Sequence, residues 1–549
     1  MTARTTVVDM VARSVLEAGG DVAFGVVGSG NFTVTAALVE HGGRFVAARH
    51  EGGAACMADA HARVTGRLGV CSVHQGPGLT NAMTGIAEAA KSRTPLIVLA
   101  GDTPAAAVRS NFRIDQSAMV EAVGATAERV HGPATAAADV GRALRKAVVE
   151  RRTVVLMLPL DVQGAECDAG AARRRDVLAP APAPASVAAL ADLLASASRP
   201  VLLAGRGAVL AGAGPALERL ADRTGALLAT SAMGHGLFAR NPWSLGISGG
   251  FASPLAAELL PQADAIAAFG AQLTRWTTRQ GELIGPEARV AQVDVEIDQI
   301  GANHPVDVAV LGDARATAEA VLGELERRGH RGDGWREGEI GAAIAARRWP
   351  SEPFDDASDS RYVDPRALTI ALDELLPSER TVVVDSGHFM GFPPMYLSVP
   401  DPAGFVFTQA FQSIGLGLAN AIGAAIARPD RLTVAALGDG GALMAIHELE
   451  TAIRLRLPLL AVVYNDAAYG AEVHHFGPHG HDLGIVRFPE TDIAALARGA
   501  GAEAITVRAV SDLAPIRDWL GRRERPLLVD AKVNPDVCAE WLEEAFRSH

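Results

Sequence analysis

Short apolar runs alternate with longer, Ala-rich stretches along most of the chain. Runs such as "PVLLAG" and "ADAIAAFG" have the length of buried strands, and Ala-rich segments of helical character lie between them. Nearly continuous apolar strands separated by helices are typical of parallel sheets that carry helices on both faces. The pattern therefore predicts an α/β fold built from doubly wound parallel sheets.

Two segments lack this pattern and are predicted to be linkers. The stretch "VLAPAPAPAS" at 177–186 alternates Ala with Pro, which favours an extended chain over a helix. The stretch "WPSEPFDDASDS" at 349–360 is rich in Pro, Asp and Ser and has no apolar period. These linkers divide the chain into three consecutive predicted α/β domains, at residues 1–176, 187–345 and 361–549.

Composition and charge narrow the classes of partner. The net charge of −13 argues against a protein that wraps nucleic acid or coats an anionic membrane, so small molecules are the expected ligands. No stretch approaches the about 20 unbroken apolar residues of a membrane-spanning helix, and the N-terminus lacks a signal-peptide core. The cysteines form no CxxC pair and are expected to be buried thiols in a reducing compartment. We therefore expect a soluble, cytoplasmic protein.

The first candidate for chemistry is a glycine turn after a strand. The stretch "RLTVAALGDG" is predicted to be a buried strand that ends in a turn at Gly438 and Gly440. This places Asp439 at the carboxyl end of the strand, where open α/β sheets bind their ligands. A helix is predicted to follow from about Gly441 to Leu455, and its first N–H groups are suited to bind a phosphate group.

A second acidic turn is expected at the same edge of the sheet. The next predicted strand, "LPLLAVVYND", ends in Asn465 and Asp466. A carboxylate at each turn, next to phosphate oxygens, would suit the octahedral oxygen coordination that Mg²⁺ prefers. For the Gly-Asp-Gly tripeptide alone, the alternative is an ordinary turn between a strand and a helix. The pair of turns favours a magnesium and phosphate site.

Together, the GDG turn, the following "HELETA" and an apolar strand ending in Asn-Asp resemble the diphosphate–magnesium motif of thiamine diphosphate-dependent enzymes. The resemblance is to the acetolactate synthase-like group of 2-oxo acid decarboxylases and carboligases. The separation of Asp439 and Asp466, 466 − 439 = 27 residues, fits that family. The resemblance implies Asp439, Asp466 and the backbone carbonyl of Ala468 as metal ligands, although the family usually has Asn at position 466. It also implies contacts to the cofactor from Gly438, Gly440, Gly441 and Tyr469.

The segment "RFVAARHEGGAACMADAHARVTG" at 44–66 resembles the segment that carries the catalytic glutamate of this family, and Glu51 is the match. We expect Glu51 to be buried between a strand and a helix, which favours a carboxyl group that shares a proton with a ring nitrogen. In the family this glutamate bonds the pyrimidine ring and lets the cofactor deprotonate its own thiazolium carbon. Taken alone, an acidic residue at a helix start is more often an ordinary favourable charge.

Two further segments match the family in order. The stretch at 73–102 resembles the GPG turn of its first domain, which implies cofactor contacts from Gly76, Pro77 and Asn81. His74 and Gln75 directly precede this turn and are candidate catalytic residues. The stretch "FQSIGLGLANAIGAA" at 411–425 resembles the segment that carries an apolar wedge between the two cofactor rings. The wedge and its neighbour are then Ile414 and Ser413, with plain core packing as the alternative for Ile414.

The residues after the metal turn bear on the reaction. "YGAEVHHF" replaces the tryptophan-containing pattern of acetolactate synthases, and Glu472 aligns with an acid that pyruvate-type decarboxylases use near the cofactor. His474 is a candidate proton shuttle, because histidine titrates near neutral pH. The alternative is a surface loop, and we predict that the His-rich stretch at 475–482 forms a lid rather than a zinc site. Carboligases also offer a glutamine to the substrate, and either Phe112 or Gln116 occupies that position.

The middle domain shows only weak motifs. A glycine turn follows a strand at 201–214, and acidic residues end a strand at 290–301. Acetolactate synthase-like relatives keep flavin in this domain, so FAD is a candidate third cofactor beside thiamine diphosphate and Mg²⁺.

The resemblance as a whole implies a transferase or lyase. It would decarboxylate a 2-oxo acid donor and transfer the acyl-anion equivalent to a carbonyl acceptor, as an acetolactate synthase-like carboligase does. The alternatives are a non-ligating 2-oxo acid decarboxylase and, in a different class, a catalytically silent binding or regulatory subunit. Because the family builds each site across a subunit interface, we expect a homodimer or homotetramer.

Overall fold

The structure, a computed structural model, describes residues 4–168 and 178–546. These residues form three six-stranded sheets in which every strand pair is parallel. Helices cover both faces of the sheets, and several strands are buried along their whole length. The predicted α/β architecture of three consecutive doubly wound sheets is confirmed.

The first sheet and its helices lie before residue 169. The strands are β1 (Arg4–Thr6), β2 (Val22–Gly25), β3 (Arg44–Ala47), β4 (Gly69–Val73), β5 (Leu96–Asp102), β6 (Thr126–Arg129), β7 (Thr153–Pro159) and β8 (Glu166–Asp168). The helices are α1 (Val7–Glu17), α2 (Phe32–Glu40), α3 (Glu51–Thr65), α4 (Pro77–Lys91), α5 (Gln116–Ala122), α6 (Ala136–Val148) and α7 (Leu160–Gln163). The order is β3-β2-β4-β5-β7-β6, and β1 pairs separately with β8 in an antiparallel ribbon.

The middle sheet has the order β11-β10-β9-β12-β13-β14. Its strands are β9 (Pro200–Ala204), β10 (Leu227–Thr230), β11 (Ser244–Ile247), β12 (Ala265–Phe269), β13 (Arg289–Asp294) and β14 (Val308–Leu311). The helices are α8 (Pro184–Ser196), α9 (Arg206–Leu210), α10 (Gly214–Thr224), α11 (Pro254–Leu259), α12 (Ala314–Arg327) and α13 (Gly338–Ala346).

The third sheet has the order β16-β15-β17-β18-β20-β19. Its strands are β15 (Arg380–Val384), β16 (Phe405–Phe407), β17 (Leu432–Gly438), β18 (Leu459–Asn465), β19 (Glu503–Val507) and β20 (Leu527–Lys532). The helices are α14 (Pro365–Leu375), α15 (Phe392–Tyr396), α16 (Gly417–Ala427), α17 (Asp439–Ala445), α18 (Glu448–Arg454), α19 (Gly470–Phe476), α20 (Ile493–Ala500), α21 (Pro515–Arg522) and α22 (Glu540–Phe546).

Both predicted linkers contain irregular chain. Residues 178–183 form neither helix nor strand, and α8 begins at Pro184, where proline is favoured because the first helical residue needs no N–H partner. Val177, the first residue of that predicted linker, lies outside the described residues. Residues 352–360 are also irregular. Three cysteines are buried as expected, but Cys538 is exposed, which corrects the prediction of four core thiols.

Two local predictions after the GDG turn were wrong. The single helix predicted from Gly441 to Leu455 is two helices, α17 and α18, which are interrupted at Ile446 and His447. No Gly or Pro marks this break, so the sequence pattern carries no signal for it. The surface loop that was the alternative to a catalytic role for the histidine pair is instead the helix α19, which contains both His474 and His475.

The first and third sheets share one hydrophobic core, which contains buried residues of both. Helix α3 packs directly on helix α16 at the centre of this core. The approach is close, because a Cβ added at Gly423 would lie 2.1 Å from the backbone oxygen of Met57. No helix in the described part of the chain combines the length and apolar character needed to cross a lipid bilayer.

Candidate active site

The two acidic turns meet at one edge of the third sheet. Strands β17 and β18 are parallel neighbours, with Gly438 in register with Tyr464, so both strands end at the same edge. Asp439 begins α17 there, and Asp466 follows directly after β18. Burial raises the pKa of Asp439 to about 6. Burial, and then the negative charge of Asp439, raise the pKa of Asp466 to about 7. The structure thus brings the two predicted carboxylates close together.

The backbone around Asp466 fixes its carboxylate. The Ala468 N–H donates to Asp466 Oδ1 at 3.2 Å, and a Cβ added at Gly470 would lie 2.4 Å from Asp466 Oδ2. The side chain of the neighbouring Asn465 points elsewhere, because its amide donates a hydrogen bond to Asp530 Oδ1 at 2.8 Å inside the sheet. Asp466, and not Asn465, is therefore the side chain of this turn that faces the other carboxylate.

This donor set suits a hard divalent cation. In residues 4–168 and 178–546, no group of three or more His, Cys, Asp or Glu side chains has the arrangement of a metal site. A cation between Asp439 and Asp466 would therefore need further oxygens from the backbone or from a ligand. Mg²⁺ is commonly bound in this way, through one or two carboxylates and the phosphate groups of a ligand. The carboxylates fit Mg²⁺, and Ala468 lies in the same turn.

A buried carboxylate that was not predicted supports the Ile414 turn. Asp385 follows β15 and accepts hydrogen bonds from the N–H groups of Gly415 at 3.0 Å and Leu416 at 3.2 Å. Burial raises the pKa of Asp385 to about 6. A Cβ added at Gly441 would lie 2.6 Å from Asp385 Oδ2, so the turn also lies against the start of α17. The signal that was overlooked is an acidic residue directly after a buried strand.

These turns line a large cavity of about 1510 Å³ between the three sheets. Among the predicted residues, its wall contains Ile414, Gly438, Asp439, Gly440, Gly441, Asp466, Ala468, Tyr469 and Glu472. Tyr469 packs beside Gly440, where an added Cβ would lie 3.0 Å from the tyrosine ring. Ser413 is half-buried beside this wall, and its hydroxyl donates to the carbonyl of Ile414 at 3.3 Å. Cofactor and metal residues predicted in the third domain therefore share one cavity.

A second residue that was not predicted, His388, lines the same cavity. Its Nε2 accepts a hydrogen bond from the Ala539 N–H at 2.9 Å, so a neutral ring carries its proton on Nδ1. Burial and the neighbouring His474 lower the pKa of His388 to about 3. The two rings lie 4.4 Å apart, and burial also lowers the pKa of His474. The predicted proton shuttle His474 is not part of the cavity wall, whereas Glu472 is half-buried and exposed to the cavity.

The predicted residues of the first domain form a separate group around Glu51. Glu51 begins α3, and its Oε2 accepts a hydrogen bond from Asn81 Nδ2 at 3.0 Å. A Cβ added at Gly78 would lie 3.0 Å from the Cβ of His74 and 3.4 Å from Glu51 Oε1. Glu51 is half-buried in the single chain, which corrects the expectation of full burial. It lies at a helix N-terminus on the domain surface rather than between layers.

The side chain of Gln75 points into the first domain. Gln75 is 2% exposed, and a Cβ added at Gly30 or Gly101 would lie 1.5 or 2.6 Å from its amide oxygen. That oxygen has no hydrogen-bond partner among the described residues. Pro77 is exposed at the first position of α4. The glycines at 30 and 101 therefore make room for a glutamine whose catalytic role stays a prediction.

The structure separates the two candidates for the substrate glutamine position. Gln116 Oε1 accepts from the Gly76 N–H at 2.9 Å, and its Nε2 donates to the Gly101 carbonyl at 3.1 Å. Both ends of the Gln116 amide are thus used to hold the GPG turn, at which Gly76 has a φ of +64°. Phe112 is half-exposed and packs edge-on against the His74 ring at 4.9 Å. Phe112 is therefore the candidate that faces solvent beside the Glu51 group.

The Glu51 group and the metal turns are distinct in one chain. Glu51, His74 and Gln75 are absent from the described wall of the cavity that contains Asp439 and Asp466. In the described ranges, no hydrogen bond or ring contact joins one group to the other. Within the described part of one chain, the predicted site residues therefore form two separate groups.

Family models match three successive segments of the chain. Residues 5–121 match the model "Thiamine pyrophosphate enzyme, N-terminal TPP binding domain". Residues 187–321 match the central domain of these enzymes, and residues 385–531 match the C-terminal TPP binding domain. The chain belongs to the family of thiamine pyrophosphate-dependent enzymes, in its acetolactate synthase-like group.

Individual relatives differ in their named activities. A sulfoacetaldehyde acetyltransferase from Alcaligenes xylosoxydans xylosoxydans is 28% identical over 90% of this chain and 86% of the relative. A probable 2-ketoarginine decarboxylase from Pseudomonas aeruginosa is 32% identical over 82% of this chain and 80% of the relative. An acetolactate synthase large subunit from Parasynechococcus marenigrum is 29% identical over 89% and 81%, respectively. The chain is thus a thiamine pyrophosphate-dependent transferase or lyase, with relatives of both kinds.

Proposed function

We propose that the protein decarboxylates a 2-oxo acid with thiamine diphosphate and Mg²⁺ and transfers the acyl-anion equivalent to a carbonyl acceptor. The main support is that Asp439 and Asp466 lie close together at the ends of adjacent strands. Both line a large cavity that also contains Ile414. When bound, thiamine diphosphate supplies a carbon nucleophile that attacks the 2-oxo group and stabilises the negative charge left when CO₂ departs.

The residues of the third domain bind and orient in this proposal. Asp439, Asp466 and the Ala468 carbonyl would hold the Mg²⁺ ion, whose positive charge would balance that of the diphosphate. Ile414 would pack between the two cofactor rings, and the Asp385 carboxylate holds the Ile414 turn in place through two backbone N–H groups.

The remaining candidate residues transfer protons or donate hydrogen bonds in this proposal. Glu51, oriented by its hydrogen bond from Asn81, holds and returns a proton at the pyrimidine ring nitrogen of the cofactor. Glu472 on the cavity wall protonates or deprotonates the oxygen and carbon of the substrate. His74 lies next to Glu51 and is placed to hydrogen-bond the substrate, while the neutral His388 offers its Nδ1–H to an oxygen in the cavity.

A non-ligating 2-oxo acid decarboxylase is the second candidate. Glu472 favours it, because an acid on the cavity wall can protonate the carbanion before an acceptor arrives. The relative named 2-ketoarginine decarboxylase supports the same alternative. The presence of both Glu51 and the metal carboxylates argues against the third reading, a catalytically silent subunit.

Product analysis distinguishes the carboligase from the non-ligating decarboxylase. Purified protein is incubated with thiamine diphosphate, Mg²⁺ and a panel of 2-oxo acids, with and without aldehyde acceptors, and the products are identified by mass spectrometry. A coupled hydroxyketone or 2-hydroxy-3-oxo acid supports the carboligase. An aldehyde alone, at the same rate with and without acceptor, contradicts the carboligase and supports the decarboxylase.

We also propose that a second copy of the chain completes each site, in a homodimer or homotetramer. The support is the separation of the Glu51 group from the metal turns within one chain, together with exposed apolar side chains beside both. Phe112 is 43% exposed beside His74, and Met444 is 52% exposed on α17. Glu51 of one subunit would then act at the metal turns of the other.

A nucleotide is proposed for the part of the cavity between the first and middle sheets. Arg93, Arg151 and Arg206 line it, and burial lowers the pKa of each guanidinium group. Clustered, partly buried cations suit phosphate groups, and FAD is the nucleotide that the family resemblance indicates. Absorption spectra of the small molecules released by denaturation test this proposal. Visible flavin absorption supports FAD, and adenine absorption without flavin supports another nucleotide. The absence of both absorptions contradicts the proposal.

A further inference from the structure

A buried carboxylate of the third domain reaches the start of the helix that carries Glu51. Glu448 is fully buried at the beginning of α18. Its Oε1 accepts hydrogen bonds from the N–H groups of Arg49 at 3.1 Å and His50 at 2.9 Å. Its Oε2 accepts from the hydroxyl of Thr451 at 2.7 Å. The two backbone N–H groups directly before Glu51 are thus held by a side chain from another domain.

The first turn of α3 is shaped to accept this carboxylate. A Cβ added at Gly53 would lie 2.4 Å from Glu448 Oε1, and its next two nearest atoms, at 2.8 and 3.0 Å, also belong to Glu448. Any side chain at position 53 would therefore push the carboxylate away from the helix start. Gly53 and Glu448 form a fitted pair across the domain boundary.

Charge and hydrogen bonding both favour this contact. The N-terminus of a helix carries a partial positive charge, which stabilises a carboxylate placed beside it. Because Glu448 is buried, removing it would leave two N–H groups without a partner in a place that water reaches poorly. Other contacts in the same region involve more exposed groups, such as the ion pair of Arg49 with Glu450. Glu448 is therefore the contact that fixes the backbone at Arg49 and His50.

The orientation of Glu51 follows from that backbone. Glu51 is the next residue after His50, and its carboxylate reaches only Asn81 by a hydrogen bond within the described chain. A shift of the helix start would move the Glu51 carboxylate relative to Asn81 and to any ring nitrogen it bonds. Positional errors of about 1 Å at such a group can cost about 100-fold in rate.

We propose that Glu448 is a positioning residue for Glu51, which rests on the proposed function of Glu51. Glu448 is absent from the described cavity wall, and its hydrogen bonds within the described chain come from the backbone N–H groups of Arg49 and His50 and from Thr451. The His447 Nε2 atom lies 3.7 Å from its Oε1. It acts by holding the start of α3, so that the Glu51 carboxylate meets the pyrimidine ring of the cofactor in the orientation that proton sharing requires.

The test measures how fast the C2 proton of bound thiamine diphosphate exchanges with deuterium, without any substrate. Glu448→Ala is expected to lower this exchange rate about 10- to 100-fold while cofactor affinity, measured by calorimetry, changes less than about threefold. Glu448→Gln keeps an oxygen for the two N–H groups and should restore most of the rate. Glu450→Ala is the matched control on the same helix, since it removes only side-chain ion pairs, with Arg49 and Arg454, and no hydrogen bond to the start of α3, and it should leave the rate unchanged.

A second variant keeps the test decisive if Glu448→Ala folds poorly. Gly53→Ala alone should lower the exchange rate, because the added Cβ meets Glu448. The same substitution should have a smaller effect in a protein that already carries Glu448→Ala. Glu51→Gln serves as the reference and should show slow exchange. If it does, and exchange is unchanged in Glu448→Ala and in Gly53→Ala, the positioning role of Glu448 is overturned. Rapid exchange in Glu51→Gln itself would instead overturn the proposed function of Glu51.

Discussion

Asp466 is the residue at which this chain departs from the usual asparagine of its family. The substitution puts two carboxylates next to each other, and their mutual repulsion adds to the cost of burial. Burial raises the pKa of Asp439 to about 6, and burial followed by the negative charge of Asp439 raises the pKa of Asp466 to about 7. A bound divalent cation removes this cost, because it attracts both carboxylates in their charged forms.

Asp466→Asn tests this account through the pH dependence of stability without metal. A carboxyl group with a raised pKa stabilises the fold below its unfolded pKa of about 4, and this stabilisation is lost as the pH rises through about 7. Asparagine cannot lose a proton, so the metal-free variant should melt several degrees higher than wild type at pH 8. The difference should be much smaller at pH 5 and should vanish below about pH 4, where the carboxyl group is neutral in both states. Thermal unfolding across this range measures the difference. Parallel curves would contradict the raised pKa, and Mg²⁺ with thiamine diphosphate should close the gap.

At the scale of elements, the first and third sheets are joined through buried charges as well as apolar contacts. Arg63 in α3 pairs with Asp59 and Glu88, and its guanidinium group donates to the Phe407 carbonyl at the end of β16 at 2.9 Å. Arg63 and both carboxylates are nearly inaccessible to solvent. This network therefore ties helices α3 and α4 to the third sheet.

Arg63→Ala should be strongly destabilising, because it leaves two buried carboxylates without their cation. The expected loss is about 3–5 kcal/mol in the free energy of unfolding, measured by urea titration. Arg67→Ala is the matched control, since Arg67 forms an exposed pair with Asp21 shortly after the same helix and should cost about 0–1 kcal/mol. Equal effects of the two variants would show that the buried network does not join the domains.

Periodicity and turn residues predict much of these elements. The apolar runs locate β17 and β18, and Gly438 ends the first of them where the pattern indicates. The break between α17 and α18 was not predictable from the pattern, because neither Gly nor Pro marks it in the local sequence. His388 was missed because only the folded sheet brings it to the cavity of the metal turns. Asp385 was overlooked although it directly follows a buried strand.

At the scale of the whole molecule, the proposed site requires two chains. Glu51→Gln and Asp439→Asn should each abolish turnover, yet hybrids made by refolding or co-expressing the two variants should recover activity. In a mixed dimer, one site carries both substitutions and the other carries neither, so the hybrid itself should have about half of the wild-type activity. Recovery is measured with the 2-oxo acid identified by product analysis.

A site built within one chain gives the opposite result. Each chain of the hybrid would then carry one damaged site, and no mixture would exceed the activity of the separate variants. Sedimentation analysis of the hybrid controls for failure to assemble, because a dimer that forms without recovered activity contradicts the shared site. Full activity in a monomeric wild-type protein would contradict the need for a partner.

The most direct test of the central claim needs no knowledge of the substrate. Wild-type protein and Glu51→Gln are saturated with thiamine diphosphate and Mg²⁺ in deuterated buffer, and the exchange of the cofactor C2 proton is followed by NMR after rapid quenching. We predict rapid exchange in wild type and at least about 100-fold slower exchange in Glu51→Gln at equal cofactor occupancy. Equal exchange rates in the two proteins, or no binding of the cofactor to wild type, would contradict the account.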